Sequence, residues 1–369
     1  MCFLRLALAR EARPELRRVL NGGIKKLLVA MLATLFMAGG AFGMEGVISS
    51  SEGSGEPSPV LAPNPEAPRI LSLSKGCSVS FATVAEAKTH LAKRDVYIKN
   101  LSPFERAAKI KKAGPVSTEQ YLAFIQNQAL EWGDADKKKL LRVIAVAKPK
   151  LAKFANHLPE RIRLIKTTGN DEGAAPYTRG VSIILPERTI RQSVKSLERL
   201  FYHELFHIVS RSNPKLRDEL YGIIGYEKCD EVSLPDDMMP RRISNPDAPV
   251  IEHCIRVSKD GESRWCAPVL FSRTPKYDPK TGGSFFRYLQ FRLMVIDRKT
   301  SKAILKDGKA ILWNPDAVEG FFEQIGRNTD YVIHPEETLA NNFIHLMAAK
   351  QDLKNPEIPK KIEAVLKSN

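Results

Sequence analysis

The sequence has no Cys-x-x-Cys pair among its five cysteines, which excludes a cysteine-built zinc knuckle. It has no stripe of Lys and Arg interleaved with aromatics, so its formal net charge of +15 reads as a solvated basic surface, and no nucleic-acid partner is expected. It has no internal repeat, and its N-terminal apolar run, "LLVAMLATLFMAGGAFG", is 17 residues with a Gly-rich end, short for a permanent membrane span. Histidine is scarce, at seven in 369 residues, so the placement of each one carries weight. What remains is globular: 43% of residues are hydrophobic and 27% charged, enough for one large domain or two small ones.

Lys25 and Lys26 precede the apolar run, and Ala41-Phe42-Gly43 fits a small-x-small cleavage pattern. Residues 1–43 therefore read as a signal peptide, with a retained signal anchor as the alternative and membrane association only in that case. Removing them leaves 50 basic against 40 acidic residues, a net +10. The expected location is extracytoplasmic, periplasmic or secreted. In such an oxidising compartment Cys77, Cys229, Cys254 and Cys266 allow one or two disulfides, in three full pairings; four free buried thiols are the alternative. Residues 44–69, rich in Ser, Gly, Pro and Glu, read as a disordered linker, with a short propeptide as the rival.

Residues 70–158 are expected to be a largely helical N-terminal region. The helical pattern runs from about Thr83, with Ser117 as an N-cap and an interruption near Pro149. The period then changes. "RIRLIKTTG" (161–169) and "GVSIILPE" (180–187) read as strands, followed after a helix by two strands about Asp260-Gly261 and another within 282–300. Helices close the chain at about 335–350 and 356–367.

Between these strands lies "FYHELFHIVS" (201–210), in which His203, Glu204 and His207 spell H-E-x-x-H. Leu197, Phe201, Leu205 and Ile208 repeat at helical spacing, which puts both histidines on one adjoining stripe about a turn apart. Two imidazoles so placed can share a zinc ion, and Glu204 can act as general base toward a water whose pKa the metal lowers. The bare pattern arises by chance in roughly one chain in a hundred of this length. The alternative is a pair of satisfied core histidines.

Three protein ligands are the usual count for a catalytic zinc. The extended three-histidine form is absent, because Ser210 and Asn213 occupy the positions it needs. In "YVIHPEETLANNFIHLMAAK" (331–350), Pro335 suits a first helical position and Glu337 and Asn341 share a face. Glu337 is the candidate third ligand and Asn341 the candidate partner for a ligand histidine's far nitrogen. The alternatives are a helix-dipole role for Glu337 and a ligand role for Glu227. Tyr331 and His334 are candidate oxyanion stabilisers, with capping as the alternative for His334. His90, His157, His253 and His345 read as structural.

These residues resemble the gluzincin metallopeptidases, whose third-ligand helix carries E-x-x-x-D; here Asn341 stands in place of the Asp. "FYHELFHIVSRSNPKLRDELYGIIGY", "RRISNPDAP" and "HPEETLANNF" resemble a group of largely uncharacterised exported bacterial proteins predicted to be zinc peptidases, over roughly residues 160–350. The resemblance implies an α+β, zincin-like fold: a helical N-terminal part, a mixed or antiparallel sheet carrying the active-site helix, and C-terminal helices, with residues 159–369 as the catalytic region. It implies Zn2+, peptide-bond hydrolysis of a peptide or protein substrate, and an edge strand within 174–187 that pairs with an extended substrate, with an interior strand as the alternative there. A non-catalytic zincin-like binding protein and a zinc amidase acting on a non-peptide or cell-wall substrate are the alternatives.

Overall fold

The computed structural model describes residues 69–368. The signal and linker readings, residues 1–43 and 44–69, fall outside these residues apart from Arg69. Among the described residues no helix is long and apolar enough to cross a membrane.

The chain opens with β1 (Ile70–Ser74) and β2 (Cys77–Phe81), an antiparallel pair. Five helices follow: α1 (Val84–Leu91), α2 (Val96–Asn100), α3 (Pro103–Lys109), α4 (Thr118–Gln126) and, after the short β3 (Ala129–Leu130), α5 (Asp134–Leu151). Their starts are written locally. Thr83, Ser102 and Ser117 each form a capping box with the residue three further on, which satisfies orphan helix amides from both sides. Pro149 lies inside α5, two residues before the helix gives way to a 3-10 stretch.

β4 (Arg161–Thr167), β5 (Tyr177–Arg179) and β6 (Ser182–Pro186) complete a mixed sheet in the order β1-β2-β4-β6-β5, with β3 beside β4. β2, β4 and β6 run parallel, and β5 turns back antiparallel to form the edge. Residues 70–81 thus join this sheet as strands, and with β3 the 70–158 stretch expected to be largely helical supplies three strands as well. Their alternation is visible in "CSVSF", whose burial alternates residue by residue.

After the short α6 (Glu187–Ile190) comes α7 (Val194–Ser212), which carries the two motif histidines. Ser193 caps it by accepting the Ser196 amide. Asn213 ends it and caps α8 (Pro214–Gly222) through the Leu216 amide, with Pro214 opening that helix. Leu197, Phe201, Leu205 and Ile208 are all buried, as the spacing predicts. Each contributes about 1.5–3 kcal/mol by leaving water. This face seats α7 against α5 and the mixed sheet.

A second, antiparallel sheet is built from β7 (Tyr226–Lys228), β8 (His253–Lys259), β9 (Glu262–Ser272) and β10 (Leu289–Ile296), with two short strands of a hairpin, β11 (Leu305–Lys306) and β12 (Lys309–Ala310), ahead of β13 (Leu312–Trp313). Its order is β13-β10-β9-β8-β7. The β8–β9 turn is Asp260-Gly261, both with positive φ, as a two-residue hairpin loop requires. The chain ends in α9 (Phe321–Ile325), α10 (Pro335–Met347) and α11 (Glu357–Ser368). The architecture is α+β, with C-terminal helices, as expected. Cys77, Cys229, Cys254 and Cys266 are free and buried, which matches the thiol reading and not the disulfide one.

Candidate metal centre

The site forms where α7 packs against α10. His203 and His207 stand one helical turn apart, with ring centroids at 4.6 Å and planes at 89°. α10 begins at Pro335, so Glu336 and Glu337 occupy its first turn, where the helix dipole favours acids. Glu337 Oε2 lies 3.1 Å from His203 Nε2 and 3.7 Å from His207 Nε2. The donor atoms of His203, His207 and Glu337 are mutually within 4.8 Å, a group that could hold a metal ion. Its side chains are 14%, 0% and 2% exposed respectively.

Two observations fit a cation there. His207 Nε2 and Glu204 Oε2 are buried without a hydrogen-bond partner, which is costly for polar atoms removed from water. The donor set, two imidazoles and one carboxylate, is also the set of a three-ligand zinc site with an open position. Glu227, the rival ligand, is mostly exposed on β7 and faces Arg298 at 3.6 Å, outside the converging group.

The electrostatics follow from burial opposed by neighbours. Burial pushes the His207 ring toward neutrality, but Asp247, Glu337 and the hydrogen bond to Glu336 outweigh it and hold its pKa up at about 10. Burial pushes the Glu337 carboxyl up; His207, His203 and Asn245 overcome this and hold it at about 2. For Glu204 burial prevails. Burial first, then the Asp247 charge and, behind it, Glu337 drive its carboxyl well above the usual range, and the opposing pulls of His207 and Arg211 do not offset them.

The residue behind His207 is Glu336. His207 Nδ1 donates to Glu336 Oε1 at 2.9 Å, which leaves Nε2 as the nitrogen free to coordinate. Glu336 Oε2 accepts from Ser210 Oγ at 2.8 Å and from the Tyr221 hydroxyl. Burial alone would raise the Glu336 carboxyl, yet these three donors keep it below its ordinary value. Asn341 does not stand behind a histidine. Its amide donates to the Glu337 carbonyl oxygen at 3.1 Å, within its own helix.

Tyr331 stacks along His203, with centroids at 6.4 Å and planes at 22°. His334 is the N-cap of α10, its Nδ1 accepting the Glu336 amide at 3.1 Å, and burial lowers its pKa to about 4. Its role is therefore the capping one, and its ring lies against Tyr221, whereas Tyr331 lies along a candidate ligand ring.

The sequence reading missed a third wall. The turn Ser244–Ala248 crosses the site, where Asn245 Nδ2 donates to Glu337 Oε1 at 2.7 Å. Asp247 groups with Glu204 and His207 within the same 4.8 Å limit. Asp247 Oδ1 also takes the Thr178 amide at 2.7 Å and the Thr178 hydroxyl at 2.6 Å, while Arg211 spans Thr178 Oγ1, the Asp247 carbonyl and the Gly180 carbonyl. The expected edge strand within 174–187 resolves into the edge β5 and the interior β6, and the outward amide of β5 at Thr178 is already engaged. The only sequence signal for this wall is the "RRISNPDAP" string. No protein-family model, curated protein or solved structure matched the chain, so the arrangement rests on its own geometry.

Proposed function

We propose that this chain is an exported zinc-dependent metallopeptidase of gluzincin type. The observation that carries the reading is the convergence of His203, His207 and Glu337 beside a buried carboxylate with a free oxygen, Glu204. A zinc ion held by the three ligands would supply Lewis acidity toward a carbonyl oxygen and toward water. Glu204 takes the proton of the attacking water at Oε2 and delivers it to the leaving amine nitrogen. Glu336 keeps His207 in the tautomer that presents Nε2. The Tyr331 ring, lying along His203, is the candidate to face a developing oxyanion.

One observation favours a second reading, a zinc amidase acting on a cell-wall crosslink. The Thr178 amide, which an extended peptide would need, is bonded to Asp247. Metal analysis of the purified chain and digestion of a peptide library, with Glu204→Gln as control, test both. About one equivalent of zinc, cleavage by the parent, and a loss of about 100- to 10,000-fold in the variant with metal retained are expected. Zinc without cleavage of any peptide would move the assignment to the amidase or to a non-catalytic binding protein. For export, N-terminal sequencing of the extracytoplasmic fraction should begin near Met44; an intact N-terminus in membranes would favour the anchor.

A further inference from the structure

The two oxygens of the Glu337 carboxylate are engaged differently. Oε2 faces both ligand imidazoles, at 3.1 and 3.7 Å, and Oε1 is held by the Asn245 amide at 2.7 Å. Asn341, one turn along α10, bonds the Glu337 main chain and leaves the carboxylate alone. The orientation of the Asn245 side chain is fixed by its other end, because Asn245 Oδ1 accepts the Asp247 amide at 2.9 Å. An amide flipped about that bond would set oxygen against carboxylate and nitrogen against an N–H, so Nδ2 has to point at Glu337.

The turn that carries Asn245 is anchored on every side. Glu105 on α3 accepts the Ser244 amide at 2.8 Å, and Ser244 Oγ donates to the Asn100 carbonyl at 3.0 Å. Ser102 Oγ reaches the Arg242 carbonyl at 2.7 Å, and Asn100 Nδ2 the Pro249 carbonyl at 2.8 Å. Asp247 closes the far side on Thr178 and Arg211. So many polar anchors make a rigid bracket out of irregular chain, and a rigid bracket is what placing a ligand oxygen requires.

Resting on the metal-site reading above, we propose that Asn245 is a positioning residue for the third ligand: it presents Glu337 to the cation through Oε2 alone. With Oε1 retained by the Asn245 amide, Glu337 would offer a bound cation one oxygen, and the place that its second oxygen would take would be left to substrate. Asp247 and Ser244 hold the bracket, and Asn245 is the member of it that touches a ligand.

The test is metal affinity, measured by competition titration of zinc against a chromogenic chelator, alongside the thermal midpoint of the metal-free protein and the visible spectrum with cobalt(II). Asn245→Ala removes the donor; Asn245→Asp keeps the shape and sets a carboxylate against Glu337. Both should weaken zinc by about 10- to 100-fold, the usual effect of losing a group behind a ligand. In Asn245→Ala the cobalt bands should also weaken, as Glu337 turns to bind through both oxygens and the coordination number rises. Leu73→Ala, a buried change in β1 at the edge of the mixed sheet opposite β5 and outside the bracket, should lower the thermal midpoint and leave affinity unchanged. Asn245→Gln, which retains an amide donor, should recover part of the affinity that Asn245→Ala loses. Parental affinity in both Asn245→Ala and Asn245→Asp overturns this inference and leaves the metallopeptidase reading standing. Affinity that falls only in step with thermal stability, in Leu73→Ala as much as in Asn245→Ala, overturns it as well. A parent that binds no divalent cation overturns the metallopeptidase reading and the Asn245 role together.

Discussion

Replacing Glu336 separates metal binding from folding. Its carboxylate is buried and accepts from His207 Nδ1, Ser210 Oγ and the Tyr221 hydroxyl. Glu336→Ala strands three buried donors, and a buried group without a partner costs about 1–3 kcal/mol. The metal-free protein should therefore lose about 3 kcal/mol or more. Glu336→Gln keeps an oxygen that Ser210 and Tyr221 can still use, so its stability should stay within about 1 kcal/mol of the parent, near the net worth of one hydrogen bond. It lacks the charge that orients and strengthens His207, and zinc affinity should fall by about 10- to 100-fold. Denaturant melts of the metal-free forms and zinc competition titrations read the two quantities independently. Parental zinc affinity in Glu336→Gln would refute the role given to this carboxylate, and so would an unchanged melt for Glu336→Ala.

Three further outcomes are expected. Glu337→Ala should lose zinc while Glu227→Ala, exposed on β7, and Asn341→Ala, serving its own helix, stay near the parent in the same titration; zinc loss in Glu227→Ala would return the ligand to "GYEKCDE". His90 is buried, with Nε2 unpartnered, and burial, reinforced by Arg179 and Lys93, lowers its pKa to about 4. The unfolded chain then protonates first, near pH 6.5, so stability is full above that value and falls as pH drops toward 4, by up to about 3 kcal/mol. His90→Leu should flatten this slope in melts run from about pH 7 to about pH 4, and an unchanged slope would remove His90 as its source. On the proposed metal site, a chelator should lower the thermal midpoint of the zinc-loaded parent and of zinc-loaded Glu204→Gln alike, because an ion bound only to the folded state stabilises it; an unmoved midpoint would count against the site.

The elements with strong local signals were legible. The α7 stripe of Leu197, Phe201, Leu205 and Ile208 and the Asn213-Pro214 stop gave that helix its position, and the Pro335-Glu336-Glu337 start did the same for α10. The His-His-Glu group followed from both. What escaped was settled by tertiary contact. Glu336 and Glu337 are adjacent acids in one helical turn, and nothing local says which faces the imidazole Nδ1 and which the two Nε2 atoms. Asn341 has the right spacing for a histidine partner, yet its short amide finds the carbonyl of Glu337 first, a bond open to any Asn in a helix. Asn245 and Asp247 lie in irregular chain with no periodicity to read. The strands of residues 70–81 are short, and β5 is three residues long, too brief for an alternating pattern to register.

The support of the Ser244 turn by α3 bears on how the protein can be divided. Glu105 holds the Ser244 amide, Ser102 holds Arg242, and β2 lies beside β4 in the sheet that α7 packs on. A fragment starting at residue 159 would contain every candidate ligand and the proposed base, yet it would expose the flank of β4 and release the bracket behind Glu337. The candidate ligands lie in the second half of the chain, but part of the support that fixes their geometry comes from the first. Shuffling the motif region onto another scaffold would carry over the residues without the means of aiming them.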